Sequence, residues 1–504
     1  MFDASLLKRP AVQRGSPGLD DQLVGARHAR GVADWIAYGL YQASGEVLSA
    51  SVSAVEVSDT LGLLEIGTRV RIGEGAGAPI AEVVALKDRA AICLPFGVVA
   101  GVRRGACVTF LKEGPALRPG DDWLGRVING FAGPLDDKGP IVPGREKRPL
   151  RAAPPPAAAR ARLGGALETG IKAIDLFTPC KKGQRMGLFS AAGVGKSMLL
   201  SMLARNVTCD VIVIALIGER GREVREFMED SLGPEGMKRA VLVVSTADEP
   251  ALMRREAAFA AMSIAEHFRD QGKHVLCLFD SLTRLAQAQR EIGLSGGEPP
   301  TSRGYPPSVF SQLPQLLERA GPGPKGQAGT ITAMFTVLVE GDDHDEPISD
   351  ASRSILDGHI VLSRAIAESG RYPAIDVLKS VSRTATPLMP VSGVTGSDGS
   401  APDDVVSDNN GIETTPTNSA KHQQVVREAR QLFSAYEEMR DMIRVGAYRV
   451  GADPTVDRAV SFVGRVEAFL TQMPHDRVSS GEALAELAML LDANETAATE
   501  LDKR

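Results

Sequence analysis

Long apolar runs are missing from this chain. None approaches the roughly 18 residues that a membrane-crossing helix needs, so no span is expected. The first 30 residues hold no apolar core of a secretion signal, so a cleaved leader is not expected. Aromatic residues are scarce, at 5%. There is no basic excess: Lys and Arg number 57 against 63 Asp and Glu, a formal net charge of −6. Proteins whose main partner is a nucleic-acid backbone usually carry the opposite balance. Cysteine is sparse. Cys93, Cys107, Cys180, Cys209 and Cys277 are odd in number and form no Cys-x-x-Cys pair. They read as buried, reduced thiols of a cytosolic protein, not as a metal or redox centre.

What is present has the composition of a globular protein. At 504 residues the chain has room for roughly three domains. Residues 1–34 read as an N-terminal arm. Over 35–120, short β-like runs broken by Gly predict a small all-β barrel or sandwich. The stretch 121–166, with Pro154-Pro155-Pro156, reads as a linker. Over 167–390, near-continuous apolar runs at 185–189, 210–217, 240–245, 274–279 and 330–339 alternate with helical stretches. That pattern predicts an α/β core around a mainly parallel sheet. Residues 391–420 contain no aromatic residue and read as a polar, low-complexity loop, mobile in expectation. Apolar residues at spacings of three and four from Val425 to Ile443 begin a C-terminal helical domain, 421–504, which a helix over 480–496 closes.

The most telling stretch is Ser190-Ala191-Ala192-Gly193-Val194-Gly195-Lys196-Ser197, set between an apolar strand and the helix start at Met198. A Gly-rich turn of this kind aims backbone N–H groups and a helix N-terminus at one spot, where phosphate binds. Ala192, Gly193, Val194, Gly195, Lys196, Ser197 and Met198 are the candidate nucleotide-binding residues. Lys196 would reach the β- and γ-phosphates, and Ser197 would ligate Mg²⁺. The motif asks for Gly where this chain has Ser190.

Hydrolysis also needs a metal carboxylate, a positioned water and a cation on the γ-phosphate. Asp280 ends the apolar run at 275–279. It is placed either to hold Mg²⁺ or to cap the helix that follows. Glu219 ends another such run, placed either to orient water or to pair with Arg220 or Arg222 at the surface. The run Asp342-Asp343-His344-Asp345-Glu346 reads as a solvated charged loop, not a metal cluster.

Longer segments carry a resemblance. They include Leu167-Glu168-Thr169-Gly170-Ile171-Lys172-Ala173-Ile174-Asp175, Gly297-Glu298-Pro299-Pro300-Thr301-Ser302-Arg303-Gly304-Tyr305-Pro306-Pro307 and Arg371-Tyr372-Pro373-Ala374-Ile375-Asp376. The chain resembles the ATPases of the type III protein-export apparatus, kin of the catalytic β subunit of rotary ATP synthases. The resemblance implies an ATPase using ATP and Mg²⁺. Lys196, Ser197 and Asp280 would serve phosphate and metal, and Glu219 would activate water. Arg220 and Arg284 would line the pocket, Tyr372 would stack near the adenine, and Arg383 would be the arginine finger for a neighbouring subunit. It further implies a homohexamer, a stalk-type regulator at the N-terminus, a coiled-coil stalk protein in the central pore, and an export gate with cargo and chaperones. The place implied is the cytoplasm, peripheral to the cytoplasmic membrane. Asn129 stands where Asp is usual, and 391–420 looks like an insertion.

The flagellar apparatus is the preferred setting and a virulence injectisome the alternative. A ring-shaped RNA-translocating ATPase would share the core, but it calls for a basic, aromatic-bearing barrel that stacks bases. Residues 40–120 offer only Tyr41, Phe96 and Phe110, and no nucleic-acid partner is expected. A non-catalytic nucleotide-binding ring subunit is a third reading, opposed by Glu219.

Overall fold

The computed structural model describes residues 44–75, 77–111, 114–339, 346–384 and 420–501. The expected arm at 1–34, residues 342–345 of the acidic run and the low-complexity segment up to residue 419 lie outside them. The chain divides into two compact units. One contains the described residues up to Ala161 with 209–338 and 346–355, and the other contains 162–208, Val339 and the described residues from Leu356 on. Residues 209–338 fall in the unit with the barrel, and the phosphate loop falls in the unit with the C-terminal helices.

The first unit begins with a closed six-stranded barrel, β1 (Ser44–Ala50), β2 (Val55–Ser58), β3 (Arg69–Ile72), β4 (Ile80–Lys87), β5 (Ala90–Pro95) and β6 (Cys107–Leu111). Its order is β1-β2-β5-β4-β3-β6, with β6 closing on β1. Strand β3 shows why it forms. Alternation in Arg69-Val70-Arg71-Ile72 turns Val70 and Ile72 into the barrel core and leaves the arginines outside it.

Residues 121–166 are more than a linker. Trp123 is buried and donates its indole N–H to Val142 O at 2.7 Å. Val127–Ile128 adds a parallel edge strand to Ala240–Thr246. The Arg126 guanidinium forks onto Asp136 at 2.8–3.2 Å, and Asp136 also accepts from Val127 N. Asn129 serves as a turn residue, its Oδ1 accepting from Phe131 N and Gly133 N at 2.9 and 2.8 Å. An amide oxygen suffices there, so Asp is not required.

The parallel sheet of this unit runs Thr330–Leu338, His274–Asp280, Val211–Glu219, Ala240–Thr246 and Val127–Ile128. Every residue of Val211–Glu219 is buried, as a strand covered on both faces requires. Helix Ala251–Asp270 packs on it and also binds the barrel. Arg69 of β3 pairs with Glu256 at 2.6 Å, Arg255 pairs with Glu82 of β4 at 2.7 Å, and Arg151 reaches both carboxylates at 3.3 Å.

In the second unit, Arg185–Ser190 pairs in parallel with Gly358–Val361, which pairs antiparallel with Val381–Ser382. Three C-terminal helices follow: Ala420–Arg444, Pro454–Leu470 and Ser480–Leu501. The second of these was not foreseen. Asp453 caps it by accepting from Thr455 N and Val456 N, and Pro454 occupies its first position. Phe433 stacks edge-on between Phe177 and Phe462 and seats these helices on helix Lys172–Phe177.

The thiols are buried or half-buried. Burial pushes Cys93 and Cys277 up to about 12 and Cys209 to about 11.

Candidate active site

The phosphate-loop candidates lie in the second unit. Ser190 is buried at the end of its strand, and its carbonyl accepts from Val339 N at 2.9 Å. Among described non-glycine residues only Arg89, Ala132 and Arg303 have positive φ, so Ser190 and Ala191 need no glycine. Where the turn does need glycine, it has it: Gly193 has φ 78° and Gly195 φ 94°. Val194 is buried and pins the loop, whereas Ala192, Gly193 and Ser197 face outward and Lys196 and Met198 are half-buried. Gly195 precedes helix Lys196–Asn206 and supplies no side-chain cap. A helix start without a side-chain cap suits an anionic ligand.

Tyr372 stands directly against this loop. A Cβ built on Gly195 would lie 3.1–3.2 Å from its ring carbons. Arg383 is exposed just beyond Val381–Ser382, with its backbone N–H on Asp357 O at 2.9 Å.

The carboxylates lie in the first unit, at the C-terminal ends of parallel strands. Glu219 closes Val211–Glu219 at 8% exposure, after a register shift that sets it opposite Thr246. Nearby, Arg220 reaches Glu223 at 4.0 Å and Arg222 reaches Glu226 at 3.2 Å, with both arginines largely exposed. Gly218, at φ 69°, lets Arg284 pack over the strand end: a Cβ there would stand 3.0 Å from Arg284 Cβ. Arg284 Nη1 donates to Gln287 Oε1 at 2.9 Å.

Asp280 is 5% exposed and level with Leu216 of the neighbouring strand. It does not cap the next helix. Ser281 does, its hydroxyl accepting from Arg284 N. Asp280 Oδ1 accepts instead from the Thr336 hydroxyl at 2.7 Å. Thr336 escaped the sequence reading, although a threonine inside an apolar strand was a visible signal. Among the described residues no group of three or more His, Cys, Asp and Glu is gathered for a metal. A lone carboxylate suits Mg²⁺, which keeps waters and binds largely through substrate phosphates.

Comparison with known proteins gives the family. The family model for the ATP synthase alpha/beta family, nucleotide-binding domain, matches residues 170–382, and that for the T3SS EscN ATPase C-terminal domain matches 418–489. The chain is 49% identical over 455 residues to the flagellum-specific ATP synthase of Caulobacter vibrioides, covering 89% of this chain and 96% of that one. It belongs to the type III export ATPases. Within this family it is also 42% identical to the type 3 secretion system ATPase of Xanthomonas euvesicatoria, over 86% of this chain and 92% of that one. The assembled ATPase EscN of enteropathogenic E. coli superposes with a TM-score of 0.77 at 37% identity, covering 89% of this chain and 100% of that one. EscN with its central stalk EscO gives 0.73 at the same coverage. The export ATPase fold is therefore present here: an N-terminal barrel, a P-loop core with a mainly parallel sheet, and C-terminal helices.

Proposed function

We propose that this export ATPase serves the flagellar apparatus and completes each catalytic centre with an arginine from a neighbouring copy of itself. Membership of the family makes it an ATP-hydrolysing enzyme of type III protein export. The flagellar choice is supported by the 49% identity to the Caulobacter vibrioides flagellar protein against 42% to the Xanthomonas euvesicatoria secretion ATPase. An injectisome is the alternative.

Lys196 and the loop N–H groups take the phosphates of ATP. Ser197 and Asp280 would hold Mg²⁺, which when bound neutralises charge on the β- and γ-phosphate oxygens. Glu219 orients the attacking water and accepts its proton. Arg220 and Arg284 flank Glu219, and Tyr372 takes the adenine side. Arg383 of one copy meets the γ-phosphate held by the next.

One observation carries this reading. A single chain presents both a buried carboxylate at a strand end, Glu219, and an exposed arginine, Arg383. A ring of identical subunits can then complete every site. A homohexamer with a stalk protein in its pore follows, in line with the assembled EscN and its complex with EscO. The N-terminal regulator, export gate, cargo, chaperones and attachment to the cytoplasmic membrane belong to the same proposal. Among the described residues no helix is long and apolar enough to cross a membrane.

An RNA motor is disfavoured by the barrel. Its two aromatic residues among those described, Phe96 and Phe110, are buried and offer bases no stacking surface. The deciding experiment is ATP hydrolysis by Glu219→Gln in oligomers of verified size. Turnover should fall by about 10²-fold or more with nucleotide binding retained. An unchanged rate would sink the assignment of Glu219 as the residue that activates water.

A further inference from the structure

Gln472 follows helix Pro454–Leu470 and is 3% exposed. Its backbone N–H donates to Tyr372 O at 2.8 Å. Its side-chain Nε2 donates to Gly170 O at 3.0 Å, and its Oε1 accepts from Lys172 N at 2.8 Å. One amide thus both donates to and accepts from the segment that opens this unit. Glutamine can do this, whereas a carboxylate of the same shape lacks the donor.

Neighbouring contacts converge on the same parts. Glu467, in the last turn of the same helix, pairs with the buried Arg371 at 2.7 Å. Arg371 Nη2 donates to Ile375 O at 2.9 Å. Arg371 and Tyr372 are therefore gripped from one helix end. Just past Gln472, Asp476 O accepts from Asn206 Nδ2 at 3.1 Å. Asn206 is the last residue of the helix that starts at Lys196. At the other end of that helix the Tyr372 ring lies against Gly195, where a Cβ would meet it at 3.1–3.2 Å.

We propose that Gln472 is a positioning residue for nucleotide binding, setting Tyr372 against the phosphate loop from the C-terminal helices. The seating of those helices then sets the affinity for nucleotide. This rests on the nucleotide-binding reading of the phosphate loop and Tyr372 given above. A tie that served folding alone would lower stability without a selective effect on nucleotide.

The test uses the full chain with Gln472→Ala and the isosteric Gln472→Glu, which keeps the acceptor for Lys172 N and loses the donor to Gly170 O. The probe is a fluorescent ADP analogue titrated at equilibrium, alongside KM and kcat for ATP and melting temperature. Loss of buried hydrogen bonds of this kind should raise Kd and KM together by about 5- to 10-fold. Turnover at saturation should stay within about 2-fold, because no group acting on the transition state is altered. In a Tyr372→Ala background the Gln472 change should add less than about 2-fold, since both act through one contact. Unchanged Kd in a folded Gln472 variant overturns the inference, and so does loss of fold in both variants. Lys196→Ala and Tyr372→Ala serve as controls. If they too leave binding intact, the nucleotide reading itself has failed; if they weaken it while Gln472 variants do not, only the positioning role falls.

Discussion

Thr336 donates its hydroxyl to Asp280 at 2.7 Å, and both are buried at neighbouring strands of one parallel sheet. The bond holds one carboxylate oxygen of Asp280. Thr336→Val keeps the shape and removes the donor. Outer partners of metal-site ligands typically contribute 10- to 100-fold. ATP hydrolysis should therefore fall by about 10-fold, with a higher Mg²⁺ requirement. A magnesium titration of the variant with an unchanged midpoint would remove Asp280 from the metal site.

Arg383→Ala should keep nucleotide binding and lose turnover by about 10³-fold, within the range of arginine fingers. The complementation is more telling. Chains carrying Glu219→Gln mixed with chains carrying Arg383→Ala should regain part of the activity, because some interfaces then join an intact Glu219 to an intact Arg383. Mixed oligomers verified by mass that stay inactive would refute a site shared between copies.

Asp175 gives a pH signature. It accepts from Thr169 N, Thr169 Oγ1 and Gly170 N at 2.7–3.0 Å, yet burial dominates and pushes its carboxyl up to about 6. Between about pH 4 and 6 the folded state holds the proton more tightly than the unfolded chain. The group's contribution is full below about pH 4 and lost as pH rises through about 6, by up to about 3 kcal/mol. Asp175→Asn has no such slope. Denaturant midpoints should show the wild-type chain losing stability relative to the variant from pH 4 to 7. Parallel pH profiles would count against the shift.

Glu256 is fully buried beneath Arg69, Arg151 and Arg255. Breaking a buried ion pair by removing one partner costs about 3–5 kcal/mol. Glu256→Gln keeps the volume and should lower the unfolding temperature of the first unit by several degrees in calorimetry. A melt within about 1 °C of wild type would show that these buried ion pairs add nothing net to stability.

The sequence was most legible where burial is continuous. The five long strands of the core were read with ends within about two residues, because both of their faces are covered and the apolar run is unbroken. Short strands escaped. Arg69–Ile72 offers only Val70 and Ile72 as apolar signal, and Val127–Ile128 is two residues long. Helix Pro454–Leu470 had a capping Asp453 and a leading Pro454 that went unread. At the candidate site, the Gly-rich loop singled out Lys196 and the end of an apolar run singled out Asp280. Position alone left Glu219 open between two readings, and resemblance alone pointed to Tyr372 and Arg383. Thr336 and Gln472 were missed because their roles depend on partners 56 and 300 residues away. Ser190 looked like a defect in the phosphate loop, but backbone angles decide the matter: that position ends a strand, and the left-handed turns come later, at Gly193 and Gly195.

The ion pairs between barrel and helix Ala251–Asp270 have a mechanical side. That helix packs along the strand that ends in Glu219. The barrel is therefore not a bead on a flexible string but a handle welded to a beam. A load applied to the barrel, by a neighbouring subunit or any other grip, is delivered stiffly to the strand that carries Glu219.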